Sequence, residues 1–542
     1  VRKQAPVIIA KESRQILPQN GTKFQQSDSG TTQIVFRVPN EESSSTDLST
    51  MWITADLTVR GLNNTTFSAN LRNKYNGQSK NLFVGAANTA ILSCCDSIES
   101  AIRQVHILVN GSELERHDYY NFEESIMNMH TNNANFSNSI GAGCMLMNIN
   151  HWEKSKLFLN NSAALVGAGT ADGVSNTIQV SFPLRWTGVA NLRSLIPTAF
   201  LGGGQSAVEI RIFLETANKF LIAGLFTSTA NQGHSNEFTP HATALTYELD
   251  NVRLNYDVAI TSDAYTSSLK SYLASNQLTL PIDTYYTTQF DIPSSTNGWL
   301  NFTISTQMSD ISAIFIAFCI ADEQSSYAYA STDRFVKPGN LKQARLQING
   351  KPYPNVNIQL SGDVELPEAE AYQYLMKALR QNCSLEVIGN ANANRDSKQL
   401  LAINRGDANA AITAATLGYR EIPSGSGINY GRNKSPGVRP VNLDTDTKTM
   451  NYFEDDGYLF DSPSSFVLGF DISKSNYSNE FELSGQDLTK SSGLIQVNLN
   501  FQGNPQVRRF GATTADLTAV NLQAIVVVKH KRILDIGLDS SQ

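Results

Sequence analysis

The densest group of side chains that could do chemistry in this sequence is acidic. Asp444 and Asp446 are followed closely by Glu454, Asp455 and Asp456, and clustered carboxylates are ligands that calcium prefers. The segment lacks the mid-loop glycine that an EF-hand needs for its sharp turn. We therefore interpret 444–456 as a solvated loop, with calcium binding as the alternative, and predict no metal site.

Histidine and cysteine spacing gives no second candidate for a metal. No two histidines are spaced as His-x-x-x-His, and no Cys-x-x-Cys occurs, so the usual signature of a structural zinc site is missing. His106 falls within a strand pattern, which favours packing or hydrogen bonding over ligation. The seven histidines are His106, His117, His130, His151, His234, His241 and His530.

Two glycine-rich segments resemble catalytic or phosphate-binding loops only superficially. In 167–173 the third glycine comes one position too late for the dinucleotide pattern, and no helix pattern follows. The segment 425–427 lacks the nucleophile elbow and its strand-to-helix context. We predict no catalytic residue and no cofactor site, and we expect a protein that is not an enzyme.

Composition limits the class of protein. A chain of 542 residues, with 41% hydrophobic and 17% charged residues, fits two large β domains. The net charge of −7 argues against a surface devoted to nucleic acid, so no sequence-specific nucleic acid binding is expected. The longest apolar run, 313–321, is too short to cross a bilayer. Val1 is followed by no signal-peptide pattern, and the sequence leaves N-terminal processing open.

The five cysteines form no even disulfide framework, which suits assembly in a reducing compartment. Neighbours such as Cys94 and Cys95 rarely bridge each other. Cys319 lies inside an apolar strand pattern, and we predict that it is a small core residue.

The first 29 residues differ from the rest of the chain in charge. Arginine and lysine outnumber the two acidic residues Glu12 and Asp28 there. We predict an N-terminal arm over 1–29, either a solvated tail or a segment that reaches toward an acidic partner or a neighbouring subunit. Its cationic residues are Arg2, Lys3, Lys11, Arg14 and Lys23.

Alternation of apolar and polar residues is the main structural signal. In 32–38 the residues Ile34, Phe36 and Val38 share one face, and 52–59 alternates in the same way. Period-two patterns of this kind predict half-buried antiparallel strands. Long Asn-, Ser-, Thr- and Gly-rich segments separate them, as surface loops would.

One unit of the sequence occurs twice. An apolar strand, an Asn-Gly turn, a polar link and a short amphipathic helix follow one another in 97–129 and again in 341–380. The duplication predicts an all-β fold of two consecutive eight-stranded jelly rolls, with short helices and long loops. We place the first roll at 30–244 and the second at 245–542, with an insertion at about 389–461. The strand pattern at 245–256 is predicted to open the second roll.

With these residues in view, the chain resembles the double jelly-roll major capsid proteins of tailless icosahedral DNA viruses, and most of all the polinton-like virus and virophage branch. The resemblance covers about 30–538 and rests on the repeated unit and on the strand patterns that end each roll. These further stretches are 182–186, 208–214, 464–471, 492–499 and 524–536.

The resemblance implies a structural role in the virion. Three chains would form a homotrimer, a pseudo-hexameric capsomer that tiles an icosahedral shell assembled inside the host cell. The implied partners are other copies of the chain, penton proteins and minor or cement capsid proteins. The arm at 1–29 would contact an internal membrane, the genome or minor proteins. No cofactor is implied.

Two other classes of function stay open at this point. A carbohydrate- or receptor-binding β-sandwich, such as a viral spike or lectin-like domain, would need an exposed aromatic platform or a calcium loop. A glycoside hydrolase would need two facing carboxylates, and the sequence singles out no such pair.

Overall fold

The computed structural model describes the parts of the chain given at the end of this paragraph. Four segments discussed above lie outside the described residues: the glycine-rich segments 167–173 and 425–427, the insertion at 389–461 and the acidic segment 444–456. Among the described residues, no helix is both long and apolar enough to cross a membrane. The structure describes residues 7–39, 44–61, 89–94, 97–131, 177–192, 194–198, 206–227, 237–240, 242–305, 308, 310–321, 335–363, 368–379, 466–473, 494–507 and 518–536.

The described residues form strands in two groups, called the first roll and the second roll below. The strands of the first roll are β1 (Ile8–Ile16), β2 (Phe24–Gln26), β3 (Gln33–Pro39), β4 (Ser44–Arg60), β5 (Thr89–Cys94), β6 (Ile102–Val109), β7 (Ser112–His117), β8 (Thr177–Phe182), β9 (Ser206–Leu214), β10 (Leu221–Thr227), β11 (Glu237–Pro240) and β12 (Thr246–Thr261). The strands of the second roll are β13 (Leu278–Ile292), β14 (Gly298–Ser305), β15 (Ile311–Ile320), β16 (Gly339–Ile348), β17 (Lys351–Gln359), β18 (Val467–Asp471), β19 (Leu494–Val507), β20 (Thr518–Ala519) and β21 (Leu522–Ile536). The helices are α1 (Tyr120–Thr131), α2 (Ala217–Phe220), α3 (Asp263–Leu273) and α4 (Ala369–Ala378).

Both groups have the same strand order. In the first roll the two main antiparallel sheets run β1–β12–β4–β8, with β2 also on β12, and β3–β9–β6–β7. In the second roll they run β13–β21–β15–β18 and β14–β19–β16–β17. The eight main strands of the first roll are, in chain order, β1 with β2, then β3, β4, β6, β7, β8, β9 and β12. Those of the second roll are β13 to β19 and β21. Numbered 1 to 8 in this way, the strands of both rolls lie in the orders 1-8-3-6 and 2-7-4-5. This is the two-sheet arrangement of a jelly roll, so the predicted double jelly roll is confirmed.

The repeated unit of the sequence is the middle of each roll. Asn110 and Gly111 have φ of 51° and 78°, and Asn349 and Gly350 have the same two values. Two successive residues at positive φ make the tight turn that matches the twist of a hairpin. The links predicted as polar segments after these turns are in fact the partner strands β7 and β17. Helices α1 and α4 then follow, as predicted.

The N-terminal part of the chain is not a free arm where it is described. Strand β1 pairs with β12 from Ile8 to Ile16. Lys11 Nζ lies 2.8 Å from Asp257 Oδ2, and Lys23 Nζ lies 2.8 Å from Glu248 Oε1. These cations therefore bind carboxylates of the first roll. The interpretation of 1–29 as an arm is corrected for residues 8–16 and 24–26.

Strand β12 belongs to the first roll. It pairs with β4 from Thr246 to Ile260 and with β1 along its second part. The segment 245–256, predicted to open the second roll, instead completes the first, because an alternating pattern reports which face is buried and not which strand lies beside it. The division of the chain into domains stays a prediction, and this pairing favours a boundary after Thr261 over one at residue 245.

The sheet β13–β21–β15–β18 of the second roll is buried on both faces, and we call it the covered sheet. Every residue of β15 is buried. Ile314, Ile316 and Phe318 point into the second roll, whereas Phe315 and Cys319 point outward into a separate apolar cluster. Helices α1 and α4 supply the other side of that cluster. Cys319 is therefore a core residue, as predicted.

Gly469 in β18 lets α4 approach the covered sheet closely. A Cβ atom at this position would lie 2.6 Å from Leu375 Cα, in the backbone of α4. No side chain larger than hydrogen fits without moving the helix.

We predict that Gly469→Ala lowers the free energy of unfolding by about 1–3 kcal/mol, because the added methyl group pushes α4 off the sheet. Urea denaturation followed by fluorescence measures the change. Lys377→Ala, at an exposed position of the same helix, is the control and should change stability by less than about 0.5 kcal/mol. Equal effects of the two substitutions would show that α4 does not depend on this contact.

Candidate functional site

The described part of the chain has its most unusual chemistry where the two rolls meet, a region we call the junction. Strands β13 and β21 are paired along their full length, and one end of this ribbon extends beyond the second roll. There Leu280, Ile282, Leu534 and Ile536 pack into the apolar core of the first roll. Each roll therefore contributes residues that bury the other.

A histidine lies between two carboxylates at this junction. His117 ends β7, Glu115 precedes it by two residues on the same face, and Glu123 lies in the first turn of α1. His117 Nδ1 is 2.6 Å from Glu123 Oε2, and Nε2 is 3.1 Å from Glu115 Oε2. All three side chains are fully buried. We call these three residues the histidine cluster.

Each carboxylate of the histidine cluster also binds a different segment of the chain. Glu115 accepts hydrogen bonds from the backbone N–H groups of Gly188 at 2.6 Å and Val189 at 2.8 Å. Glu123 accepts one from the Thr287 hydroxyl of β13 at 2.6 Å. The cluster therefore ties β7, α1 and the segment after β8, all from the first roll, to a strand of the second roll.

The histidine cluster holds His117 in its charged form. Burial has the largest influence and lowers the pKa of His117, but attraction to Glu123 and the hydrogen bonds to both carboxylates outweigh it. The resulting pKa is about 10, against 6.5 for an ordinary histidine. At neutral pH both ring nitrogens carry a proton, and each donates to a carboxylate.

A second histidine at the junction behaves in the opposite way. Burial lowers the pKa of His530, and repulsion from Arg532 and His117 adds to that effect, so the pKa is about 4. His530 is neutral at pH 7. Arg532, two residues on, donates from Nη1 to the carbonyl oxygen of Leu114 at 2.8 Å, which is a further bond between the rolls.

Gly188 permits a close approach of the two rolls across the junction. A Cβ atom here would overlap Ile282 Cγ2 and the Asp283 carbonyl oxygen of β13. Beside this contact lies a cleft of about 310 Å³, lined by both rolls. Its lining includes Trp186 from the first roll, and Tyr285 and Lys529 from the second.

A second buried polar group anchors α1. Tyr120 donates its hydroxyl hydrogen to Glu99 Oε1 at 3.3 Å, and the Leu184 backbone N–H donates to the same oxygen at 2.6 Å. Ser97 donates to Glu124 Oε1 at 2.7 Å. Burial is the main cause of the raised pKa of Glu99. The start of α1 is therefore held on both sides by buried carboxylates.

This chemistry suits positioning and not turnover. The imidazole of His117 has no lone pair available as a base while both nitrogens donate to carboxylates. Thr287 donates its hydroxyl hydrogen to Glu123, and no solvent reaches the cluster. Among the described residues, no group of three or more His, Cys, Asp or Glu side chains has a geometry that could hold a metal ion.

The sequence singled out none of the residues of the histidine cluster. His117 has no metal-binding or catalytic spacing to another residue in the sequence. His106, predicted to pack or form a hydrogen bond, lies in β6 with its ring centroid 5.0 Å from that of Phe213. Asn121, in the first turn of α1, is buried and donates from Nδ2 to Glu215 Oε2 at 3.1 Å. One signal in the sequence could have pointed to the cluster: Glu115 and His117 are two polar residues on the same face of a short strand.

The strand order confirms, at the level of the fold, the resemblance found in the sequence. No protein-family model matches this chain, and no curated protein matches its sequence. Among solved structures, the chain is similar to a chain of the Sputnik virophage, solved by cryo-EM, at 10% identity and a TM-score of 0.46, covering 100% of this chain and 89% of that one. It is also similar to the Faustovirus major capsid protein, at 10% identity and a TM-score of 0.46 over 99% and 92% of the two chains. A chain of the PBCV-1 virus capsid matches at 9% identity and a TM-score of 0.44 over 99% and 97%.

We predict that His117→Gln destabilises the protein by about 3–5 kcal/mol, because it leaves two buried carboxylates without their counter-charge. Urea denaturation measures the loss. Adding Glu123→Gln to this variant should recover part of it, since one of the uncompensated charges is then gone. His106→Gln, in a half-buried strand position, is the control, and a loss of equal size there would contradict a special role for the cluster.

We predict that the contribution of His117 to stability is lost at alkaline pH. The pKa of His117 is raised to about 10 from 6.5 in the folded protein, so its stabilisation is complete below pH 6.5 and declines as the pH rises toward 10. The difference in unfolding free energy between the wild type and His117→Gln should therefore shrink over that range. A difference that stays constant from pH 6.5 to 10 would show that His117 does not titrate as described.

Proposed function

We propose that this chain is a major capsid protein, and that three copies form a pseudo-hexameric capsomer that tiles an icosahedral virus shell. The observation that carries the proposal is the identical strand order of the two rolls, joined by a buried junction. A trimer of such a chain presents six similar rolls around one axis, and six similar sides suit a hexagonal lattice.

The junction supports this role because a capsid subunit must keep its shape when it contacts its neighbours. Apolar residues of β13 and β21 pack into the first roll, and α1 of the first roll packs on the covered sheet. The histidine cluster adds directional bonds between the same elements. Two rolls held in this way act as one rigid unit when they meet a neighbouring chain.

The proposed protein is structural and not catalytic, and its place is the virion. A closed shell has five-fold vertices and seams between capsomers, so penton proteins and minor or cement proteins are the proposed partners besides the chain itself. Strands β1 and β2 belong to the first roll. We therefore assign the proposed contact with an internal membrane, the genome or minor proteins to the residues before Val7 alone.

One observation favours the alternative of carbohydrate or receptor binding. Trp299, in β14 on the outer face of the second roll, is 44% exposed, and the Arg345 guanidinium lies 4.9 Å from its ring centroid. Asn500 and Gln343 share that face in register with Trp299. An aromatic ring among amide groups can stack on a sugar and bond its hydroxyls.

We predict that the purified full-length protein forms a trimer. Light scattering coupled to size-exclusion chromatography should give three times the chain mass, and electron micrographs should show hexagonal capsomers. A stable monomer that binds glycans saturably, and loses that binding in Trp299→Ala, would favour the alternative over the capsid protein.

A further inference from the structure

Strand β1 lies at the edge of its sheet in the part of the chain that the structure describes. Among the described residues it pairs with β12 alone, so one row of its backbone N–H and C=O groups faces away from the sheet. Residues Ile8 to Ser13 are exposed on both faces. An exposed edge strand is a template for pairing with another strand.

The apolar residues near the two ends of β1 are unusually exposed. Ile9 is 64% exposed and Leu17 is 57% exposed. Between them lie Lys11, Glu12 and Arg14, which carry charges of both signs. Such an edge is apolar at its ends and charged at its centre.

The charges of β1 select one register for antiparallel pairing with a second β1. If the two-fold axis passes through Ser13, Glu12 of each copy lies opposite Arg14 of the other. Moving the axis to Glu12 places two glutamates opposite each other. Moving it to Arg14 places two arginines opposite each other. Directly opposed like charges destabilise a strand pair, and opposed unlike charges stabilise it.

We propose that β1 pairs with β1 of a second copy of this chain, antiparallel and with the two-fold axis at Ser13. The contact joins the two first rolls into one continuous sheet by strand addition. Its two sides are identical, as in every two-fold interface. Four pairs of opposed residues then follow from the axis outward: Ser13 with Ser13, Glu12 with Arg14, Lys11 with Gln15, and Ala10 with Ile16.

This contact goes beyond the proposed trimer. A two-fold contact cannot be one of the three equivalent contacts around a three-fold axis, so it joins chains of different trimers. If the proposed function holds, β1 is a seam between neighbouring capsomers. The pairing itself does not require the trimer.

Cysteine cross-linking of the full-length protein tests the pairing. In Ser13→Cys the two new thiols face each other across the axis, at a Cα separation of about 4.5–5.5 Å that a disulfide can bridge. In the control Lys11→Cys the two thiols lie about 13 Å apart along the strands and cannot bridge. We expect mild oxidation to give a covalent dimer with Ser13→Cys, and not with Lys11→Cys or the parent protein, on non-reducing gels.

Charge reversal in the Ser13→Cys background tests the register. Glu12→Arg alone and Arg14→Glu alone each replace two attractive pairs with two repulsive ones, and should lower the dimer yield by about tenfold. The combined exchange of Glu12→Arg with Arg14→Glu restores both attractive pairs and should restore the yield. Unchanged thermal unfolding of the variants shows that they remain folded.

The outcomes separate this contact from the proposed function. Equal dimer yields from Ser13→Cys and Lys11→Cys, or no dimer from either, overturn the strand pairing. Trimers without the Ser13→Cys dimer leave the capsid proposal standing. Dimers from a chain that never forms trimers support the pairing and contradict the trimer.

Discussion

The structure depends on covering a sheet that is apolar on both faces. In the covered sheet, β15 alternates between residues that fill the second roll and residues such as Phe315 that point away from it. The outward face cannot be left in water without losing the free energy of its burial. Helix α4 covers part of it, and Phe122, Ile126 and Met127 of α1 cover more. Because α1 comes from the first roll, the outward face of the covered sheet is buried only when the first roll is in place.

The histidine cluster lies at the same contact and has a different effect. Apolar packing holds two surfaces together but tolerates sliding, whereas His117 between two carboxylates requires particular distances and angles. Burying charges is costly, and a buried ion pair often adds little net stability. We interpret the histidine cluster as a set of bonds that determines the orientation of one roll relative to the other. Its bonds join β7, α1 and the segment after β8, all in the first roll, to β13 of the second.

The two rolls share an architecture but differ on their outer faces. The equivalent sheet of the first roll has polar outward residues on β4, such as Thr54 and Asp56, and its edge carries β1. The second roll has the apolar outer face that receives α1. The two rolls therefore share a strand order but differ in what their outer faces carry: polar residues in the first, and an apolar surface covered by helices in the second.

The amino-acid sequence alone determined the local structure and the duplication. Alternation in β3 and β4, the Asn-Gly turns, and the amphipathic stripes of α1 and α4 are set by residues close together in the chain, and the sequence predicted them correctly. The arm at 1–29, the polar links after the Asn-Gly turns and the placement of the strand at 245–256 differ from the structure, and all three concern which strand lies beside which. That is decided by pairing between residues such as Lys11 and Asp257, far apart in sequence. The histidine cluster is of the same kind, since Thr287 reaches Glu123 across the junction. Only the tertiary structure could decide these features, because a periodic pattern reports that a face is buried and carries no record of what buries it.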